Sequence, residues 1–134
     1  MYESWFSKFL ASDDTLWVMV EGELLFSSDK EWLMPLLEYI DRGYSQPVVI
    51  FDKIMGNAAA LLSVRAGGEA VLSPLGSRLA VETLENYGIR YHISEIVPYI
   101  QKAGQEEMCP MEKLSIGKGP AEFYEELKDR DGRS

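Results

Sequence analysis

The stretch that most constrains the fold is VVIFDKIMGNAAALLSV, residues 48–64. Val48 to Phe51 is an unbroken apolar run, and such a run suits a strand buried on both faces, as in a parallel sheet. It stops at Asp52-Lys53 and passes into a helix of mostly small, apolar residues, from about Met55 to Arg65. A strand that hands its chain to a helix in this way belongs to an open α/β sheet. Such sheets keep their sites in the crevice at the carboxyl ends of the strands. The stretch therefore predicts a fold class and a place: Asp52 and Lys53 at a strand end, with Gly56 and Asn57 opening the next helix.

The rest of the chain supplies neighbours for that crossover. Trp5, Phe6, Phe9 and Leu10 fall on one stripe of a short helix that ends at Ser12-Asp13-Asp14. LWVMVEGELLFS reads as two strands around Glu21-Gly22-Glu23, an antiparallel hairpin with glycine in its turn. Ser28 and Glu31 have capping-box spacing, but Pro35 fits a first helical turn, so the helix is predicted to begin near Leu33. Leu33, Leu36, Leu37 and Ile40 give its apolar stripe, and Gly43 stops it. Gly67-Gly68 ends the small-residue helix, and Ala70-Val71-Leu72 predicts another buried strand. Ser77 is the expected N-cap of a helix that runs to Tyr87 before Gly88, and Ile89 to Ile93 is the last strand.

Beyond that strand, Val97-Pro98-Tyr99-Ile100 reads as a helical turn and residues 104–107 as a loop. Pro110 opens a short helix with Cys109 at its N-cap, and Gly117 closes it. Gly119-Pro120 starts a final helix that packs Phe123, Tyr124 and Leu127 inward, and residues 129–134 read as a frayed polar tail. Strands alternating with helices of this length imply right-handed crossovers and parallel pairing, while the hairpin adds an antiparallel edge. The prediction is one α/β domain over residues 1–134, with a mixed five-stranded sheet and helices on both faces.

Charge and composition remove several classes of function. The formal net charge is −9, and Lys and Arg are scattered singly, so a nucleic-acid partner is not expected. The acidic residues gathered near the end, Glu106, Glu107, Glu122, Glu125 and Glu126, suit a solvated helix face. MYESWFSKFL has no basic start, which argues against a signal peptide, and no apolar run approaches the roughly 20 residues of a membrane span. One cysteine excludes an internal disulfide and fits a reducing, cytoplasmic setting. The aromatic content is compatible with a homodimer.

FDKIMGNAAALLSV (51–64), LENYGIRYHISEIVPYI (84–100) and CPMEKLSIG (109–117), with PLLE (35–38), resemble the DUF1893 family of uncharacterised prokaryotic proteins. The resemblance covers most of the chain beyond Thr15. It implies a cytidine deaminase-like three-layer sandwich, with the αββαβαβαβ order already reached from the pattern, and it implies no particular chemistry. The family commonly has a lysine where this chain has Asn57, so one candidate charged group is absent.

A zinc deaminase would need three His/Cys ligands and a glutamate, carried at two helix starts as H-x-E or C-x-E and P-C-x-x-C. The matching places here are Ser27-Ser28-Asp29 and the residues just after it, and residues 52–56; neither holds a ligand set. The whole chain has one histidine, His92, and one cysteine, Cys109. No metal or other cofactor is expected.

Asp52 and Lys53 are the leading candidates for chemistry: they either face the crevice and hold a ligand or move a proton, or form a solvated strand end and helix cap. Gly56-Asn57 either admits an anion to free helix amides or lets the helix pack closely on the sheet. Cys109, at a helix start, is either a nucleophilic or redox-sensitive thiol or a structural one. Glu112 fits a capping box within its own helix, and His92 reads as structural. The expected site binds a small polar or anionic molecule, with Asp52, Lys53 and Cys109 as acting groups and Gly56, Asn57, Ser28 and Glu112 as ligand-binding groups. The alternative is a catalytically inert binding or assembly module that uses exposed aromatics such as Trp5, Trp17 and Trp32.

Overall fold

The computed structural model describes residues 2–101 and 107–130. Among these residues six helices and five strands follow in the order α1 (Glu3–Ala11), β1 (Leu16–Val20), β2 (Glu23–Ser28), α2 (Met34–Asp41), β3 (Val48–Asp52), α3 (Asn57–Arg65), β4 (Gly68–Ser77), α4 (Arg78–Asn86), β5 (Arg90–Val97), α5 (Pro110–Ser115) and α6 (Pro120–Arg130). The strands form one sheet in the order β2-β1-β3-β4-β5. β1 is antiparallel to both β2 and β3, whereas β3–β4 and β4–β5 are parallel. The hairpin turn takes positive φ at both Glu21 and Gly22, which suits the right-handed twist of the strands it joins.

The period-two alternation of β3 divides the core. Val48 and Ile50 face the larger cluster, with Leu36, Leu37, Ala58 to Leu62, Leu84 and Phe123. Val49 and Phe51 face the opposite side, where they meet Phe9, Trp17, Met19 and Leu72. There the rings of Phe9 and Trp17 stand edge to face at 5.4 Å. Helices thus cover both faces, but unevenly: the second cluster is closed, among the described residues, by α1 and Tyr2 before it. Aspartate at position 52 continues the Val48–Ile50 side, and it ends the strand where that side opens.

Several boundaries differ from the sequence reading. Leu10 is exposed, because α1 turns only Phe9 fully into the core. Ser27 and Ser28 end β2, so no helix starts at Ser27-Ser28-Asp29, while α2 begins at Met34 with Pro35 in its first turn, as the proline predicts. α3 begins at Asn57 because Met55 is drawn across to β4, donating its N–H to Leu75 O at 2.8 Å and accepting from Ser77 N at 3.1 Å. β4 runs ten residues, well past the expected Ala70-Val71-Leu72. Beyond Leu72 the strand goes on pairing with β5, Ser73 with Ile93 and Leu75 with Glu95, whereas β3 pairs only as far as Leu72, so Pro74 lies beyond that ladder. β5 likewise extends to Val97, and residues 97–100 form no helical turn. Of the expected loop, 104–106 fall outside the described residues, as do 131–134 of the tail.

Candidate functional site

A cavity of about 480 Å³ opens at the carboxyl end of β3, on the side of the sheet covered by α2 and α3. Its volume lies within the range of small-molecule pockets, roughly 300–1,000 Å³. Asp52 and Lys53 contribute from the strand, Gly56, Ala58 and Ala59 from the head of α3, and Glu31, Trp32 and Leu33 from the approach to α2. Cys109, Met111 and Glu112 close it from α5 and its start. Residues from positions 52, 56, 109 and 112, far apart in sequence, thus line one space.

Asp52 is half-buried and takes a long 3.4 Å hydrogen bond from Ile54 N at its Oδ1. Burial pushes its pKa from the ordinary carboxylate range up to about 7, against the opposing effect of the amide hydrogen bonds from Ile54 and Lys53. Lys53 offers it no ion pair. The Lys53 ammonium turns to the α1 side, where Nζ donates to Ser12 O at 2.9 Å and lies 4.8 Å from the Phe9 ring centroid. A cation against the last carbonyls of α1 is favourably placed in the helix field. The neighbouring aspartate and lysine therefore part company: one faces the cavity, and the other pins a helix.

Glu112 does not form the capping box within its own helix. Cys109 N donates to Ile100 O instead, and the Glu112 carboxylate reaches across to two other helices. It is 2% exposed. Its Oε1 accepts from Asn57 N at 2.6 Å and Ser77 Oγ at 3.1 Å, and its Oε2 accepts from Ile100 N at 2.5 Å. The Asn57 side chain donates to Ser115 Oγ at 3.0 Å and accepts from Thr83 Oγ1. Ser77 Oγ in turn accepts from Ala80 N as the N-cap of α4. The amide at the head of α3, which the sequence offers to an anion, already holds the chain's own carboxylate. Gly56 fits the same arrangement, since a Cβ there would meet Ile100 Cγ1 at 3.0 Å and Glu112 Oε1 at 3.3 Å.

The remaining expected residues separate cleanly. Cys109 is half-buried in the cavity wall. Ser28 is not among the lining residues; its Oγ accepts from Lys30 N. His92 lies on the other face of the sheet, 5.5 Å ring to ring from Phe6 of α1. Of the three tryptophans, Trp17 is buried, with Nε1 donating to Asp14 Oδ2 at 2.7 Å, and Trp5 is half-buried. Trp32 alone stands out, 71% exposed at the cavity rim and held at φ +65°. Left-handed backbone at a bulky residue is uncommon and costs free energy, so the surrounding structure imposes it. Sequence reasoning singled out Trp32 only as an exposed aromatic, and it missed Thr15 and Ile100. No local signal carries that information, because those residues reach the cavity through the hairpin and the β5 exit.

No group of three or more potential metal ligands occurs among the described residues. A zinc site built on three His/Cys ligands does not fit here, for the chain's single histidine and single cysteine sit on opposite faces of the sheet. No helix among the described residues is long and apolar enough to cross a membrane.

A family model described as a domain of unknown function (DUF1893) matches residues 6–130. Among solved structures, the chain is similar to the crystal structure of a DUF1893 family protein (TM1506) from Thermotoga maritima. The two share 23% identity over 96% of this chain and 88% of that one, with a TM-score of 0.85. At that identity the likeness establishes the fold. No curated protein matches the chain.

Proposed function

The chain belongs to the DUF1893 family, and from that premise we propose that its cavity binds a small polar organic molecule through the Asp52 carboxyl. The observation that carries this reading is the convergence of Asp52, from β3, and Cys109, from the start of α5, on one cavity. With a pKa of about 7, Asp52 exists in both protonation states near neutrality, so it can accept or donate a hydrogen bond and exchange a proton with what it holds. Cys109 is the one thiol within reach of the same ligand. An anionic ligand is disfavoured, since the Lys53 ammonium is engaged by Ser12 and the α3 amide by Glu112.

The fold reading that accompanies this is a cytidine deaminase-like sandwich without the zinc. The element order supports it, as does a cavity set between the starts of α2 and α3. An intracellular setting remains the expectation from cysteine usage. The assembly-module reading would use the Trp32 rim, with Ile54 also exposed beside it, as a docking patch.

Chemical-shift mapping with a small fragment library tests the proposal. Shifts are expected to cluster on the amides of Asp52, Ile54, Gly56 and Cys109 and to shrink in Asp52→Asn. Fragments that map elsewhere, or shifts in the cavity indifferent to Asp52→Asn, would overturn it and favour the module reading.

A further inference from the structure

The charge and the aromatic surface of the cavity narrow the class of molecule it takes, an inference that rests on the binding reading above. We propose that the ligand is a cation, a compact amidine, guanidine or amine whose charged head meets Asp52 and whose body lies against Trp32.

Four observations point the same way. First, the described cavity wall offers an anion no free cation: Lys53 is the one basic residue among the described lining residues, and its ammonium donates to Ser12 O on the far side. Second, the amide at the head of α3, the natural anion site of such a crossover, is filled by Glu112, whose two oxygens accept three hydrogen bonds. Third, Asp52 faces the cavity with no side-chain cation paired to it among the described residues, and Glu31 stands exposed at the rim. A cationic head would restore to Asp52 the counter-charge that the fold withholds. Fourth, Trp32 presents an exposed indole at the mouth, an aromatic face on which the flat body of such a cation can stack while its head reaches Asp52. The net charge of −9 acts over a longer range, drawing cations toward the protein and repelling anions.

The walls between these groups are apolar, with Leu33, Ile54, Ala58, Ala59 and Met111. They suit a flat or short hydrocarbon body rather than a sugar or a phosphate ester. The titratable groups among the described lining residues, besides Asp52, are Glu31, Lys53, Cys109 and Glu112. Glu112 and Lys53 are committed to hydrogen bonds within the fold, which leaves Asp52, with Glu31 at the rim, as the carboxyl able to answer a ligand's charge.

Benzamidine, benzamide and benzoate share one shape and differ in charge, so they separate charge from fit. Calorimetric titration of the full chain above neutral pH is expected to show benzamidine binding at least about tenfold more tightly than benzamide, with benzoate weaker still. Benzamidine keeps its charge across neutrality, so its affinity for the unmodified chain is expected to rise with pH as Asp52 ionises. Asp52→Asn should erase the preference for the cation, and Trp32→Ala should weaken benzamidine several-fold. Equal binding of all three compounds, or a preference for benzoate, would overturn the cationic assignment while leaving the cavity as a binding site. A flat pH profile for benzamidine, which needs no variant, would overturn it too. Absence of benzamidine binding would do the same whatever the fragment map shows, and that map alone judges the binding reading.

Discussion

The backbone N–H of Asn57 donates to Oε1 of Glu112 at 2.6 Å, joining residues 55 positions apart at the floor of the cavity. That contact does for the fold what a bound anion does at the same place in other crossovers: it satisfies a helix-terminal amide with negative charge. It also brings α5 against α3, and so carries Cys109 and Met111 into the cavity wall.

Glu112→Ala would strand Asn57 N, Ser77 Oγ and Ile100 N, of which the first two are buried. Each buried donor left without a partner costs on the order of 1–3 kcal/mol. The expected loss of unfolding free energy is about 3–5 kcal/mol, with Glu112→Gln retaining part of it. Urea denaturation measures this directly. A loss below about 1 kcal/mol for the alanine variant would show that the carboxylate is not the hub described here.

Asp52 links stability to pH with an unusual sign. Its folded pKa, about 7, lies above its unfolded value, so the native state holds a proton that the unfolded chain has already released. Its contribution to stability is complete below the unfolded pKa and is lost as pH rises through about 7. Asp52→Asn, which carries no charge at any pH, should therefore gain on the natural chain between about pH 5 and pH 8. Thermal melts across that interval give the difference, and a constant gap between the two proteins would exclude a raised Asp52 pKa.

Lys53→Met keeps the aliphatic stem but loses the hydrogen bond to Ser12 O and the contact with the Phe9 ring. The expected cost is about 1–2 kcal/mol, from one charge-assisted hydrogen bond and one cation–π contact. Because the ammonium points away from the cavity, ligand affinity should change less than about twofold. A large loss of affinity with unchanged stability would instead place the ammonium in the site.

Gly76→Ala probes the passage that positions the cavity floor. The new Cβ would lie 3.0 Å from Met55 O and 2.9 Å from Ile93 Cδ1. Ile93 can shift, but the carbonyl of Met55 is fixed by its bond from Ser77 N. A destabilisation of about 1–3 kcal/mol is expected, with altered amide shifts at residues 54–57. Unchanged shifts there would mean that the passage tolerates the methyl group.

Much of the fold was legible because its determinants are local. Ser77 announces its helix by chemistry that reaches three residues, and its Oγ does accept from Ala80 N. Glu21-Gly22 supplies the positive φ values of the turn. Boundaries were missed where a partner strand carries pairing past the apolar run, as β5 does for Ser73 to Ser77, or draws chain out of a helix, as at Met55.

The candidate site divides along the same line. Asp52 at a strand end, Cys109 before a helix-opening proline and glycine at position 56 could all be read from the residues, because strand ends and helix starts are marked in sequence. What each side chain does there could not. Asp52 and Lys53 are adjacent and equally polar, yet the pleat sends one toward the cavity and the other under α1. Glu112 fits a capping box by spacing, yet two unsatisfied donors on other helices compete for its carboxylate and win. The sequence determined the order of elements and the end of the sheet at which polar groups gather, since both follow from periodicity and punctuation over a few residues. Only the tertiary structure decided which charge stays free for a ligand, since that depends on donors and carboxylates brought together across the whole length of the chain.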